Sequence, residues 1–254
     1  MTDSLRALID DASSSERRLV AVDRGSDERV DSVLDALDHY GVTVTEAEPT
    51  TALPGPTLVL TEGDRVLGAV DVGELDAYLS GHDIGDPPPG DVRATVRAFL
   101  GRLDHGVYTV ESGPRRRLTA VSRHIEERIA TRESGEVHAG FQRLSTLGDD
   151  PDTLHVYETL ADRGLDVSVY GTADWTPPAA AGFDVYDDPG GDVVGDYWFV
   201  VYDGPDDSAA LLAREVDPGR YSGFWAFDAD RVAPVVDCLE REVQPRLGRA
   251  TDGV

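Results

Sequence analysis

The chain has 254 residues, of which 40% are hydrophobic, so it can form one large or two small domains with a packed core. Its formal net charge of -26 arises from 49 acidic residues against 23 basic ones, and every basic residue is an arginine. This composition excludes a disordered acidic tail and, over most of the surface, the binding of nucleic-acid phosphate or anionic lipid.

The acidic, lysine-free composition indicates a salt-rich environment. In molar salt the Debye length falls to about 3 Å, so repulsion among many carboxylates is screened while the surface stays hydrated. We expect a halophilic source that accumulates salt in its cytoplasm. A basic, apolar signal segment and an apolar run of spanning length are both missing, so a cytoplasmic protein is expected. The single Cys238 excludes an internal disulfide and a multi-cysteine metal site.

Residues 1–84 are predicted to form a small α/β domain. A helical spacing of apolar residues begins at Leu5, and the apolar run Leu19–Val22 has the length of a strand. A helix, a strand and a hairpin turning at Glu62-Gly63-Asp64 follow, and then a short helix. After the first helix the predicted order is β-α-β-β-β-α, whose start implies a parallel pair of strands.

The clearest break in the chain is Gly81–Gly90, where Pro87–Pro89 forbid both helix and sheet. We predict a linker and connecting helix over residues 85–113 and a second, larger domain over residues 114–254. In that domain Tyr197–Tyr202 is too uniformly apolar for an exposed edge, so it should be a central strand. Both domains repeat the same order of elements, including a strand-turn-strand hairpin. The predicted fold class is therefore α/β, with mixed β-sheets, packed helices and two related units.

The segment Arg115–Leu144 concentrates more ligand-capable side chains than any other. Its helix has an apolar stripe, formed by Leu118, Val121, Ile125 and Ile129. His124 and Arg128 lie four residues apart on a flank of that stripe, where an imidazole beside a guanidinium can hold a carboxylate or a phosphate. The alternative is a solvated flank with structural ion pairs.

The strand after this helix supplies further candidates. Period-two alternation places Val137, Ala139 and Phe141 on one face, and His138, Gly140, Gln142 and Leu144 on the other. Gly140 leaves space over the sheet for a ligand or for close packing. His138 and Gln142 are candidate ligand-binding residues, although a buried histidine is often only structural. Trp175 lies in a loop beside Asp174 and two prolines, so core packing explains it poorly.

No motif for a catalytic serine, a phosphate-binding loop, a zinc protease or a dinucleotide occurs in the sequence. Two acidic loops, at Asp187 and Asp203, lack the spacing of a calcium site, and acidic clusters are common in so acidic a chain. No metal site, cofactor or catalytic residue is therefore predicted. Two alternatives remain open: an enzyme with an acid/base site centred on His138 or His124, and a transcriptional regulator that binds DNA through Arg115–Arg117.

Several segments resemble the DICT domain, a sensory module named after diguanylate cyclases and two-component systems. The resemblance is carried in order by SRHIEER (122–128), VHAGFQRLS (137–145), VYETL (156–160), VSVYGTADW (167–175), WFVVYDG (198–204), AALLAREV (209–216) and GFWAFD (223–228). The whole layout is similar to stand-alone halophilic archaeal members of that family. The resemblance implies signal input by small-molecule sensing, and it implies no catalytic residue.

We therefore expect a sensory or regulatory module that is not an enzyme and has no output domain of its own. Its expected partners are an unknown small molecule or a signalling protein, and neither nucleic acid nor membrane. The candidate ligand-binding residues are His124, Arg128, His138, Gln142 and Trp175.

Overall fold

A computed structural model describes residues 4–12, 17–25, 27–37, 42–48, 55–79, 90–104, 106–178 and 181–249. The chain forms two compact units, Ser14–Tyr108 and a larger unit that joins Thr109–Val254 to Met1–Ser13. The described residues adopt an α/β fold with two mixed sheets, of four and eight strands, which confirms the predicted fold class. The first helix, α1 (Ser4–Ala12), belongs to the larger unit, whereas the sequence placed it in the smaller domain.

The smaller unit follows the predicted order of elements. These are β1 (Arg17–Val22), α2 (Glu28–Ala36), β2 (Thr43–Ala47), β3 (Thr57–Glu62), β4 (Arg65–Asp71), α3 (Val72–Leu79) and α4 (Gly90–Asp104). Strand β1 pairs parallel with β2 and antiparallel with β3, and β3 pairs antiparallel with β4. Leu19 and Leu60 lie opposite each other in register and are fully buried, so they form part of the core. Residues 81–89 of the proline-rich spacer lie outside the described residues.

The larger sheet and its covering helices comprise more elements. In chain order these are β5 (Val107–Pro114), α5 (Arg115–Ile129), β6 (Glu136–Arg143), α6 (Leu144–Asp149), α7 (Pro151–Asp162), β7 (Asp166–Thr172), β8 (Asp184–Asp188), β9 (Tyr197–Asp203), β10 (Ser208–Asp217), β11 (Arg220–Ala226), α8 (Ala229–Cys238), a π-helix (Leu239–Val243), a 3-10 turn (Gln244–Arg246) and β12 (Gly248–Arg249). The strand order is β12-β8-β7-β6-β9-β10-β11-β5. The Tyr197 strand, β9, is central, as its apolar sequence predicts.

The two sheets share a four-strand arrangement. In the larger sheet β6 pairs parallel with β7 and antiparallel with β9, and β9 pairs antiparallel with β10. This is the order and direction of β1, β2, β3 and β4 in the smaller sheet. A helix connects the parallel pair in both sheets, α2 in one and α7 in the other. The repeated order seen in the sequence thus corresponds to a repeated topology.

Strand β6 separates the two faces of the larger sheet. In its register with β9, Phe141 lies opposite Trp198 and Gly140 lies opposite Phe199. Helix α5 covers the Phe141 and Trp198 face, since Arg115 at its start stacks over the Trp198 ring. A Cβ atom at Gly140 would collide with the Phe199 ring, so this glycine allows close packing on the opposite face.

The opposite face is covered by α8 and the π-helix. Gln244, directly after the π-helix, donates a hydrogen bond from its Nε2 to the Tyr170 hydroxyl at 2.7 Å. The rings of Tyr170 and Phe199 pack with their centroids 5.3 Å apart. Every residue from Ser208 to Ala213 of β10 is buried, so both faces of the sheet's centre are closed to solvent.

Candidate functional site

Helix α5 presents a buried stripe and two polar flanks. The apolar stripe predicted from the sequence is confirmed, because Leu118, Val121, Ile125 and Ile129 are all buried. One flank carries His124 and Arg128, and we call it the ion-pair flank. The other, which we call the cavity flank, consists of Arg115, Thr119, Ser122, Arg123 and Glu126.

On the ion-pair flank, Arg128 is held by a carboxylate. Its Nε and Nη2 atoms donate to Asp207 at 2.8 and 2.6 Å, and Arg132 donates to the same carboxylate at 2.6 Å. Burial alone would raise the pKa of Asp207, but the two guanidinium groups more than offset it and hold that pKa below its ordinary value. The geometry favours the structural interpretation of Arg128.

The ring of Phe227 joins the two residues of this flank. The Arg128 guanidinium lies 5.3 Å from the centre of that ring, and His124 meets the ring edge-on at 5.6 Å. Beside the ion pair, a shallow polar depression of about 240 Å³ is lined by Arg132 and Asp207, among others. A ligand role for His124 and Arg128 stays a prediction.

His138 lies on the opposite face of the sheet and is 97% buried, its exposed fraction being 3%. Its Nδ1 lies 2.7 Å from the Tyr170 hydroxyl, and its Nε2 lies 3.6 Å from a carboxylate oxygen of Glu136. The histidine ring lowers the pKa of the Glu136 carboxyl. Burial raises the pKa of Tyr170, so its hydroxyl stays protonated.

Gln142 does not share a face with His138, so the strand alternation predicted from the sequence is wrong at this position. The pairing of β6 with β7 shifts register between Gly140 and Arg143, and Gln142 has a positive φ of 61°. This β-bulge directs the Gln142 side chain to Tyr221, whose hydroxyl donates to Oε1 at 3.1 Å. Tyr221 packs edge-on against Trp198, on the α5 face.

Trp175 has a packing role in this structure. A Cβ atom at Gly148 would collide with its indole, so Trp175 lies directly over the end of α6. The preceding Asp174 supports the first turn of that helix, because its carboxylate accepts from the Ser145 backbone N–H at 2.8 Å and from the Ser145 hydroxyl at 2.7 Å. The five predicted ligand-binding residues are thus distributed over separate parts of the larger unit.

A cavity of about 170 Å³ lies along the cavity flank, between α5 and the sheet. Five elements contribute to its wall. The lining residues outside the cavity flank are Phe141 of β6, Thr146 of α6, Asp150 and Thr153 at the start of α7, and Trp198 of β9. The wall combines two guanidinium groups, two carboxyls, four hydroxyls and two aromatic rings, which is the mixture that orients a small ligand.

Glu126 is the half-buried carboxyl of this wall. Its Oε1 accepts hydrogen bonds from the Tyr157 hydroxyl at 2.8 Å and from the Ser122 hydroxyl at 3.3 Å. Burial raises the pKa of Glu126, and burial together with the Glu126 charge raises the pKa of Tyr157 well above its ordinary value. No described residue hydrogen-bonds to the Oε2 atom of Glu126, so that atom is available to a ligand.

Trp198 and Asp150 bound the cavity in different ways. Trp198 is half-buried, with the Arg115 guanidinium 5.5 Å from its ring centre and Tyr221 against its other side. Asp150 is the N-cap of α7 and accepts from the backbone N–H groups of Asp152 and Thr153, so its carboxylate is already oriented. The hydrogen bonds from Thr153 lower the pKa of Asp150.

The sequence reasoning missed this cavity, although a signal was present. Arg115, Thr119, Ser122 and Glu126 recur at i, i+4, i+7 and i+11, which is a continuous polar line beside the apolar stripe. Hydroxyls and a carboxyl along one line of a helix that covers a sheet indicate a polar surface facing the protein.

Comparisons with known proteins agree with the sensory interpretation. Residues 109–216 match the family model described as the sensory domain in diguanylate cyclases and two-component systems, DICT. No curated protein matches the chain. Among solved structures, the crystal structure of polyphosphate kinase from Porphyromonas gingivalis is similar at 13% identity and a TM-score of 0.36, covering 93% of this chain and 44% of that one.

Within the described part of the chain, no helix combines the length and apolar character that a bilayer crossing requires. The cavity described above lies between residues 115 and 198, entirely inside the segment that the family model matches. Residues 109–216 are thus similar to the DICT family of sensory domains.

Proposed function

We propose that this DICT domain senses a small, acidic molecule bound in the cavity beside α5 and passes the signal to a protein partner. The observation that supports this most is the position of the cavity within the family-matched segment, with a half-buried carboxyl and an aromatic wall. Concave sites with a few converging polar groups on an apolar wall are the usual form of small-molecule sites.

The wall indicates the kind of ligand. Arg115 and Arg123 line the cavity, and the charge of Arg123 acts to lower the pKa of Glu126 and of Asp150 in the same wall. A guanidinium group binds a carboxylate or phosphate through two parallel hydrogen bonds. Trp198 and Phe141 offer apolar surface to a flat or hydrocarbon part. The ligand that fits is a compact acid that also donates a hydrogen bond to Glu126.

The size of the cavity limits this ligand further. At about 170 Å³ it falls below the range of about 300–1,000 Å³ that drug-sized ligands occupy. We infer a metabolite with a single ring or a short chain for the part of the ligand that the cavity encloses.

The cavity wall connects to elements on which a partner can act. Tyr157 of α7 donates to Glu126 and also meets the Phe141 ring edge-on at 5.3 Å. Gln142 links Tyr221 to Glu215 of β10, donating to that carboxylate at 2.7 Å. A ligand that binds better to one arrangement of these contacts shifts the population toward it.

The other interpretations of the sequence have weaker support. Neither His124 nor His138 lines the cavity, so an enzyme with a histidine acid/base site lacks a substrate position there. The basic patch proposed for DNA binding is partly engaged, because Arg115 stacks over Trp198 and Arg117 over Trp225. The acidic, lysine-free composition supports a salt-rich cytoplasm as the setting, and the similarity to a sensory family supports a non-catalytic role; both stay part of the proposal.

The test is recovery of the ligand. The full chain is purified in molar salt and denatured, and the released small molecules are identified by mass spectrometry. The double variant Arg115→Gln/Arg123→Gln removes both guanidinium groups, and Arg116→Gln, an exposed neighbour outside the cavity, is the matched control.

We expect one small acid in wild type and in Arg116→Gln, and at least a tenfold loss in the double variant. The same acid, added back, should raise the melting temperature of wild type and of Arg116→Gln but not that of the double variant. Equal recovery from all three proteins would contradict the proposal, as would recovery of no acid together with no thermal shift in a panel of small carboxylic acids.

A further inference from the structure

A second cluster of ligand-type atoms lies on the opposite face of the larger sheet from the cavity. Glu136, His138 and Glu240 each offer one such atom, and the three atoms lie within 4.8 Å of one another. Glu136 and His138 are two residues apart in β6, so their side chains share a face of the strand. Glu240 comes from the π-helix that crosses this face.

The histidine of the cluster is buried and oriented. Its exposed fraction is 3%, and Nε2 makes no hydrogen bond with any described residue. The other ring nitrogen, Nδ1, lies 2.7 Å from the Tyr170 hydroxyl, which in turn accepts from Gln244 at 2.7 Å. An Nδ1–H donated to Tyr170 leaves the lone pair on Nε2, pointing toward the two carboxylates.

This is the arrangement found at metal-binding histidines. A ligating histidine donates its second ring N–H to a neighbouring oxygen, which fixes the tautomer and the ring orientation. Here Tyr170 occupies that position, and Gln244 fixes Tyr170. The buried Nε2 atom has the Glu136 carboxylate at 3.6 Å but no hydrogen bond among the described residues, and a bound cation would satisfy both groups.

The distances fit a small coordination sphere. Ligand bonds of about 2.0–2.1 Å in a tetrahedron place neighbouring ligand atoms about 3.4 Å apart. The Nε2 atom of His138 lies 3.6 Å from Oε2 of Glu136. Glu240 is exposed and long enough to close the remaining gap by changing rotamer.

The π-helix gives Glu240 its position. Five residues, Leu239–Val243, adopt this wider helix between α8 and the 3-10 turn. Such segments are rare and occur often at functional sites, because the inserted residue re-aims the side chains around it. The same segment leads directly into Gln244, which holds Tyr170.

We propose that Glu136, His138 and Glu240 bind one divalent transition-metal ion. One imidazole and two carboxylates suit Zn²⁺ and, less strongly, Mn²⁺. Three protein ligands leave a coordination position for water or for an exogenous ligand. This site is separate from the cavity, so it stands or falls independently of the proposed sensing function.

The experiment is calorimetric titration of the metal-stripped full chain with Zn²⁺ in molar salt. The salt and an excess of Mg²⁺ suppress loose binding to the acidic surface. Glu240→Gln removes an exposed ligand with little effect on folding, and Asp237→Asn, at an exposed acid in the last turn of α8, is the control with the same change in charge. Tyr170→Phe tests the orientation of the histidine.

We expect one saturable Zn²⁺ site in wild type and in Asp237→Asn. Affinity should fall at least about tenfold in Glu240→Gln, and about 10–100-fold in Tyr170→Phe through loss of the orienting oxygen. Equal affinity of Glu240→Gln and Asp237→Asn would overturn the site. The absence of saturable binding in wild type would also overturn it. If Mn²⁺ binds wild type as tightly as Zn²⁺ does and Glu240→Gln abolishes that binding, the site is supported with a broader metal preference.

Discussion

On one flank of α5, Arg128 together with Arg132 binds the carboxylate of Asp207, and on the other flank Arg115 and Arg123 border a cavity. Both flanks carry arginines, and the amphipathic pattern of the helix does not distinguish one flank from the other. Their partners differ. Asp207, in the β9–β10 turn, forms an ion pair with both arginines of the first flank, whereas Arg115 stacks over Trp198 and Arg123 acts on Glu126 and Asp150 only through its charge. An arginine is informative about binding only when the fold leaves its guanidinium without a carboxylate.

The largest loss of stability should come from a substitution in the ion-pair flank. Asp207→Asn leaves two guanidinium groups facing a neutral amide in a partly buried position. We expect the free energy of unfolding to fall by about 2–3 kcal/mol, less than the loss for a fully buried pair because both arginines are partly exposed. Urea denaturation in constant salt measures this change.

The matched control for this variant is Asp206→Asn, which removes the same charge from the exposed neighbouring position. The free energy of unfolding of that variant should differ from the wild-type value by less than about 0.5 kcal/mol. Equal unfolding free energies for the two variants would show that the Asp207 contacts do not stabilise the flank. Tryptophan emission should stay unchanged in both, since Trp198 lies on the other side of the helix.

A smaller and more specific effect concerns how the free energy of unfolding depends on pH. The carboxyl of each flank should change it with pH in the opposite direction. The pKa of Asp207 is lowered in the folded state. Its contribution to the free energy of unfolding is therefore present above the ordinary pKa of 3.8 and is lost as the pH falls through the lowered pKa. The pKa of Glu126 is raised, chiefly by burial, so its contribution is complete below 4.5 and is lost as the pH rises through the raised pKa.

Two variants separate these pH effects. Glu126→Gln should gain stability relative to wild type as the pH rises from 4.5, and Asp207→Asn should show a shallower loss of stability below 3.8. Denaturant midpoints measured between pH 3 and pH 8, an interval of about five units that spans both ordinary values, provide the curves. Parallel curves for wild type and Glu126→Gln would mean that Glu126 ionises in the folded state as it does in the unfolded chain.

The sequence was sufficient for the architecture and insufficient for the site, for a physical reason. Alternation and apolar runs are local, so they identified the buried stripe of α5 and the central strand β9. The repeated order of elements even predicted the repeated four-strand topology. Each of these features depends on residues close together in the chain.

The site depends on contacts between distant residues. Gln142 changes face because a β-bulge gives it a φ of 61°, and period-two alternation contains no information about a bulge. Arg128 is paired with the carboxylate of Asp207, which lies 79 residues away in the chain. His138 and Glu240 meet because the π-helix returns over the sheet. Contacts of this kind are determined by tertiary packing, so a list of ligand-capable residues cannot show which of them lie close together.

The smallest expected effect tests the cavity wall itself. Arg115 is exposed and its guanidinium stacks over Trp198, so Arg115→Gln removes a cation–π contact worth about 0.5–1 kcal/mol at an exposed site. Arg116→Gln removes the same charge from a neighbouring exposed position and should leave stability within about 0.5 kcal/mol of wild type.

The decisive measurement for this pair is fluorescence rather than stability. Among the tryptophans, Trp225 is fully buried, whereas Trp198 is half-buried and should lose part of its cover when Arg115 is replaced. Acrylamide quenching should therefore increase in Arg115→Gln and stay at the wild-type value in Arg116→Gln. If both variants quench alike, the guanidinium does not cover the indole in solution, and the cavity flank is as solvated as any exposed helix surface.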